Sequence, residues 1–510
     1  AMNANRIRRP TFVGLVIFVL GFTAIDAVWG ASTDFNRAWG SRYRARHEAQ
    51  LERRHHGNAA VDWIKRWNQI AINASGLDHT PVEPDEARVF GEQLGPGRSS
   101  RAMAIVHIAI FEAVNAIAGG YESYVKLAPV RGELSLFAAV ATAAHDTLSA
   151  VYPSQRPSFD NELAADLAKI VDGQAKTRGI ELGRHAASAI LEMRDDDGAQ
   201  HAEPRMGIEF IASNEPGKWR QDPISLLPLA LGAHWGEVDG FVLRSGDQFR
   251  APPPPAITSA DYARAYAEVK QLGGDGATTP TQRTAEQTEI GIYWAYDGTP
   301  SLCAPPRLYN QIVVQIADLK NSNHVELARL LALANVAMAD AAVAIWESKY
   351  FYQYWRPITG LRESDSGTGP TGSGDGNEAT EGDVNFIPLG APASNLNGPN
   401  FTPPFPSYPS GHAGFGGALF QVLRRFYGSD KIPFTFVSDE FNGVTKDNEG
   451  NVRPLLPRSF STLSQAEEEN GQSRIYLGIH WSFDKTEGIA QGRRVADYVM
   501  RNIFAPALGR

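Results

Sequence analysis

Three short stretches in the last third of the chain hold side chains suited to gripping an anion: "KYFYQYWRP" (349–357), "PSGH" (409–412) and "SRIYLGIHWSFD" (473–484). Lys349 and Arg356 stand seven residues apart, two helical turns, so a helix running through both sets them on one face. Pro357 disfavours helical geometry at Arg356 and ends that helix there. Ser410 is a good N-cap for "AGFGGALFQVLRRFY" (413–427), whose apolar residues recur at helical spacing, and Gly428 fits the stop. The N–H groups of Gly411 and His412 then point out of a helix N-terminus, where an anion is favoured. Arg474 and His480, six apart, do not share a face of a regular helix and converge only from a bent stretch. His480 and Asp484 are four apart, so Asp484 orients the imidazole if a helix starts here.

Each stretch alone has a plain structural explanation: two cations at a helix C-terminus, an N-cap with an incidental histidine, a histidine beside a salt bridge. Together they read differently. Lys349, Arg356 and Arg474 supply positive charge, while Ser410 and the Gly411 N–H supply neutral donors. Such a set suits a tetrahedral oxyanion that expands to five-coordinate, since guanidinium forks match pairs of its oxygens. One of His412 and His480 then serves as axial ligand or nucleophile, and the other moves a proton.

The elements that must position these residues are helical. "LFAAVATAAHDTLSAVY" (136–152), "ELAADLAKIVDGQAKTRGIELGRHAASAILEMR" (162–194) and "VELARLLALANVAMADAAVAIWESKY" (325–350) carry apolar residues at i, i+3, i+4 spacing, and strand-type alternation is scarce. "SRAMAIVHIAIFEAVNAI" (100–117) aligns without gaps on "ARLLALANVAMADAAVAI" (328–345), with Glu112 opposite Asp340. This repeat predicts an all-α fold of two related four-helix bundles packed together, at 59–250 and 283–510, with the anion site in the C-terminal bundle. "RAPPPPA" (250–256) reads as a linker or boundary, and "DSGTGPTGSGDGNEATEGD" (365–383) as a surface loop between two site segments.

The 510 residues are 43% apolar and 21% charged, as in ordinary globular chains, and the net charge of −9 argues against a nucleic-acid partner. A single cysteine, Cys303, excludes intramolecular disulfides and Cys-rich metal sites and reads as a buried, passive thiol. Residues 1–58 form an N-terminal segment in which Arg6, Arg8 and Arg9 precede the apolar stretch 11–30, interrupted by Asp26. This reads either as an export signal, placing the protein in a secreted or periplasmic location, or as a segment packed on the fold. No later stretch is expected to run apolar for the length of a membrane span, which argues against an integral membrane enzyme.

K-x6-R-P, P-S-G-H and S-R-x5-H-x3-D, in that order, resemble the three-part signature shared by vanadium-dependent haloperoxidases and PAP2-type acid phosphatases. "PPFPSYPSGHAGFGGA", "EIGIYWAYDGTP", "PPRLYNQIV" and "RIYLGIHWSFD" are similar to the chloroperoxidase-like haloperoxidases well beyond the catalytic positions. The resemblance implies vanadate as cofactor, with His480 as axial vanadium ligand. Lys349, Arg356, Ser410, Gly411 and Arg474 would hydrogen-bond its equatorial oxygens, and His412 would be the acid–base group. It also implies that Phe405 and Trp346 line the halide side and that Asp297 pairs with Arg474. The implied reaction is oxidation of chloride or bromide by hydrogen peroxide to hypohalous acid, which halogenates a small organic acceptor; a homo-oligomer is compatible with the family. Lys349 would polarise bound peroxide. The alternative on the same scaffold is a phosphatase that hydrolyses phosphate monoesters, with His480 as nucleophile and His412 as leaving-group acid.

Overall fold

A computed structural model describes residues 59–507; the apolar stretch 11–30 and the rest of the N-terminal segment lie outside the described residues, as do 508–510. Among the described residues the fold is all-α, with one antiparallel hairpin, β1 (Phe434–Asn442) and β2 (Leu455–Phe460), as its sheet.

The first group of helices is α1 (Ala59–Asp78), α2 (Gly95–Ala118), α3 (Leu136–Val151), α4 (Arg156–Leu167) and α5 (Gln174–Met193), with α1, α2, α3 and α5 packed on one another. Then come α6 (Ala260–Leu272) and α7 (Ala285–Tyr293). The second four-helix group is α8 (Pro305–Leu319), α9 (His324–Tyr352), α11 (Gly411–Tyr427) and α13 (Ser482–Asn502). Short α10 (Pro357–Arg362) and α12 (Leu463–Tyr476) flank it. The repeated segments are the two central helices, α2 and α9, which pack against each other and join both groups through one continuous apolar core.

The repeat is functional in the packing sense. Glu112 on α2 accepts hydrogen bonds from the Tyr124 and Val125 backbone N–H groups at 2.6 and 3.4 Å. Its counterpart Asp340 on α9 accepts three, from Phe241, Val242 and Leu243, at 2.6, 2.8 and 2.9 Å. In each half a buried carboxylate thereby ties down a connecting loop whose donors would otherwise be orphaned.

Both central helices are long and apolar enough to cross a membrane, contrary to the expectation that no later stretch is; each is instead enclosed, with 83% of the apolar window buried in α2 and 94% in α9. They are apolar on every side because protein surrounds them on every side. "RAPPPPA" is likewise no free linker. Its Pro252 and Pro255 carbonyls accept from the hydroxyls of Tyr408 and Tyr354, and the Ala251 N–H donates to Ser348, so the segment is bound to the second bundle.

Small residues let α11 and α13 approach closely. A Cβ built on Gly492 would lie 2.0 Å from the Gly414 carbonyl oxygen, and one on Gly488 would lie 2.7 Å from that of Ser410. The helix that opens at the anion site is therefore seated against α13 backbone to backbone.

Candidate active site

Lys349 occupies the last turn of α9 and is fully buried. The expected common helix through Lys349 and Arg356 does not form. The helix ends at Tyr352, Gln353 turns the chain at φ +50°, and Arg356 is the N-cap residue of α10. The two cations meet because the chain reverses, and both then grip the proline-rich ramp. Lys349 Nζ donates to the Pro406 and Ser407 carbonyls at 2.7 and 2.9 Å, and Arg356 Nε donates to the Phe405 carbonyl at 2.9 Å.

The ramp delivers Ser410 as N-cap of α11, its hydroxyl accepting from the Ala413 N–H at 3.4 Å, and Gly428 closes the helix in the left-handed region. The Gly411 and His412 N–H groups thus sit in the unsatisfied first turn. Gly411 lies against Trp346, whose rim would stand 3.3 Å from an added Cβ. Trp346 meets Phe405 edge to face at 5.0 Å, and Phe405 covers Lys349 Nζ at 5.2 Å and the Arg356 guanidinium at 5.1 Å.

Arg474 lies in the last turn of α12, and His480 sits in the bend before α13, so the pair converges from either side of a break between helices. Arg474 Nη2 donates to both oxygens of Asp297, at 2.7 and 2.9 Å. His480 Nδ1 donates to Asp484 Oδ2 at 2.7 Å, since Asp484 lies in the first turn of α13 as the i+4 spacing requires. That makes Nε2 the acceptor nitrogen of the ring, and it accepts a hydrogen bond from Arg356 Nη1 at 3.0 Å. His412 Nε2 donates to the Ala295 carbonyl and lies 4.0 Å from Asp297, so its basic nitrogen is Nδ1. All the site residues read from the three sequence stretches are thereby brought together.

Ser407 was not legible as a site residue. Its hydroxyl donates to Asp484 Oδ2, the same oxygen that holds His480 and the Trp481 N–H, while Asp484 Oδ1 has no partner. Nothing in "PSYPSGH" distinguishes this serine from a filler of the ramp, because its partner lies 77 residues away.

Burial sets the electrostatics. Desolvation and the neighbouring cations hold Lys349 well below the usual lysine range, and burial lowers Arg356 to about 9. Burial and the Arg and Lys charges hold His412 and His480 well below the usual histidine range, so both are neutral at pH 7. Burial raises Asp297, against the pull of Arg474. Positive groups crowded without water penalise one another, and an anion among them relieves that penalty.

Does this donor set fit a vanadate? Arg356 Nη2, Arg474 Nε and Arg474 Nη1 are buried donors with no hydrogen-bond partner. Buried guanidinium N–H groups are costly to leave unpaired, so three orphans beside an open helix N-terminus and a neutral imidazole nitrogen mark a place made for an oxyanion. Above it opens a cavity of about 510 Å³, lined at its floor by Gly411, His412, Arg474 and His480.

The comparisons with known proteins agree. The family description VCPO second helical-bundle domain matches residues 329–506. The vanadium chloroperoxidase of Curvularia inaequalis is 31% identical over 501 residues, covering 83% of this chain and 79% of that protein. The chain belongs to the vanadium haloperoxidase family. Its fold is also that of solved bacterial relatives. A vanadium-dependent iodoperoxidase superposes with a TM-score of 0.67 at 23% identity, over 87% of this chain and 98% of that one. A holo-type bacterial vanadium-dependent chloroperoxidase superposes with a TM-score of 0.59 at 17% identity, over 84% and 95%. As a member of this family the protein is an oxidoreductase whose cofactor is vanadate.

Proposed function

We propose that this haloperoxidase oxidises chloride or bromide with hydrogen peroxide to hypohalous acid, using the residues assembled above. The observation that carries the reading is the set of orphaned Arg356 and Arg474 donors beside the neutral Nε2 of His480. Lys349, Arg356, Arg474, Ser410 and the Gly411 N–H would hold the vanadate oxygens, and His480 Nε2 would be the protein's ligand to the vanadium. When bound, vanadate supplies a Lewis-acid centre that activates peroxide without changing oxidation state.

The chain's own residues do the rest. Asp484 holds the proton on His480 Nδ1, keeping Nε2 available as a ligand. The Ala295 carbonyl fixes the proton of His412 on Nε2, so Nδ1 is the nitrogen that would take a proton from peroxide and give it back. Lys349, freed from water, polarises peroxide toward halide. Trp346 and Phe405 form an apolar edge on the halide side, and dryness there strengthens every field at the site.

The deciding experiment measures bromide- and chloride-dependent halogenation with and without added vanadate, beside hydrolysis of a phosphate ester. Vanadate-dependent halogenation with both halides is expected. Ester hydrolysis inhibited by vanadate, with no halogenation, would replace this reading by the phosphatase one. The arginine-led stretch 11–30 further supports export in a secreted or periplasmic form, checked by fractionating cells that express the full chain.

A further inference from the structure

We propose that the cavity above the anion site binds an uncharged, largely apolar organic acceptor, which is halogenated while held there rather than in bulk solvent. This rests on the haloperoxidase reading. Peroxide and halide are each a few atoms in size, yet the cavity measures about 510 Å³, within the range of sites that hold organic ligands. Its size therefore exceeds what the oxidants need.

The lining says which chemistry fits. One stretch of the lining comes from the first half of the chain, with Ile224, Leu227 and Leu229; another carries Leu396 and Phe401. Asp297 and Arg474 reach the cavity at its floor, ion-paired with each other and with the remaining Arg474 donors left for the cofactor, and the histidines His79, His412 and His480 also line it. A charge placed against these leucines and Phe401 would lose its hydration with no counter-charge beside it, whereas an apolar group there releases poorly bonded water.

The walls are fixed in place before any ligand arrives. The Asp222 carboxylate accepts from the Ile224 and Ser225 N–H groups at 3.1 and 3.3 Å and from the Thr402 N–H at 3.2 Å, joining one stretch to the other. Within the first stretch Leu226 takes φ +50°, a costly conformation for leucine, and is 59% exposed, while its neighbours Ser225 and Leu227 line the cavity. A site held this rigidly loses little entropy on binding.

The step within it balances. Hypohalous acid formed at the floor transfers its halogen to an electron-rich carbon of the acceptor. The C–halogen bond forms, the C–H proton is released, and the oxygen departs as water.

The test uses 2-naphthol and its 6-sulfonate in competition, with vanadate-loaded enzyme, peroxide and bromide, against reagent hypobromous acid. The enzyme should favour the uncharged naphthol over the sulfonate by roughly tenfold more than the reagent does, the discrimination an apolar pocket gives. Leu227→Asp and Leu396→Asp should return the ratio toward that of the reagent, while bromide oxidation without acceptor stays unchanged. Calorimetry with 2-naphthol on vanadate-free protein should show one site, weakened in both variants. A product ratio equal to the reagent's, together with no calorimetric binding, overturns the proposal. If vanadate-dependent halogenation is absent but naphthol binds, the site stands and the haloperoxidase reading fails instead.

Discussion

His480 is held by a chain of three groups: Ser407 donates to Asp484, and Asp484 receives the His480 Nδ1 proton. Removing the imidazole with His480→Ala should abolish vanadate binding; stoichiometric binding retained by calorimetry would refute the ligand role. Ser407→Ala should leave binding intact but raise the vanadate Kd about 10-fold, the usual cost of losing a partner behind a metal ligand. An unchanged Kd would show that Ser407 only fills space. Phe405 offers the third residue-scale test. Phe405→His should lower chlorination relative to bromination, because a polar ring admits water and weakens the field on the halide that is harder to oxidise. An unaltered ratio of the two rates would remove Phe405 from halide choice. Of these residues, His480, Asp484 and Phe405 were readable from spacing and resemblance. Ser407 was not, since its role depends on which acid the fold brings to it.

At the scale of elements, the site depends on how α11 rests on α13. Gly488→Ala would drive a methyl to 2.7 Å from the Ser410 carbonyl oxygen, so α11 must shift at its first turn. We expect a loss of roughly 1–3 kcal/mol in stability from the overpacking, with weaker vanadate binding alongside it. Stability and affinity both at wild-type levels in denaturation and calorimetry would show that the helices have room to separate. The α11 start and stop were legible in Ser410 and Gly428 because capping is a local matter. The break between Lys349 and Arg356 was not. Pro357 signals an ending, but the turn falls four residues earlier at Gln353, where the chain pairs across Lys218↔Tyr354 and the Trp355 N–H reaches the Gly217 carbonyl.

For the whole molecule, the two central helices carry unequal polar groups at matched positions. Asn335 on α9 exchanges paired amide hydrogen bonds with Asn310 at 2.8 Å, whereas His107, its counterpart on α2, is buried with neither ring nitrogen partnered. Burial lowers His107 to about 3 from the ordinary 6.5. The unfolded chain therefore binds a proton below pH 6.5 that the fold refuses, so this residue's share of stability is lost as pH falls through 6.5. At pH 5 the penalty is about 2 kcal/mol. His107→Leu should stabilise the protein more at pH 5 than at pH 7.5; equal gains at both pH values in denaturant titrations would contradict this.

By itself the sequence determined the helical class, the repeat, the donor set and its order along the chain, and the local devices that aim it. Those are properties of neighbours in the chain: N-caps, i+4 pairs and apolar periodicity act within a few residues. Only the tertiary structure decided that Arg356 reaches Lys349 by a chain reversal, that Ser407 backs Asp484, and that Asp222 staples together a mouth built from both halves. Each of these rests on contacts between residues far apart in the chain, whose geometry is set by packing the whole core rather than by any local preference.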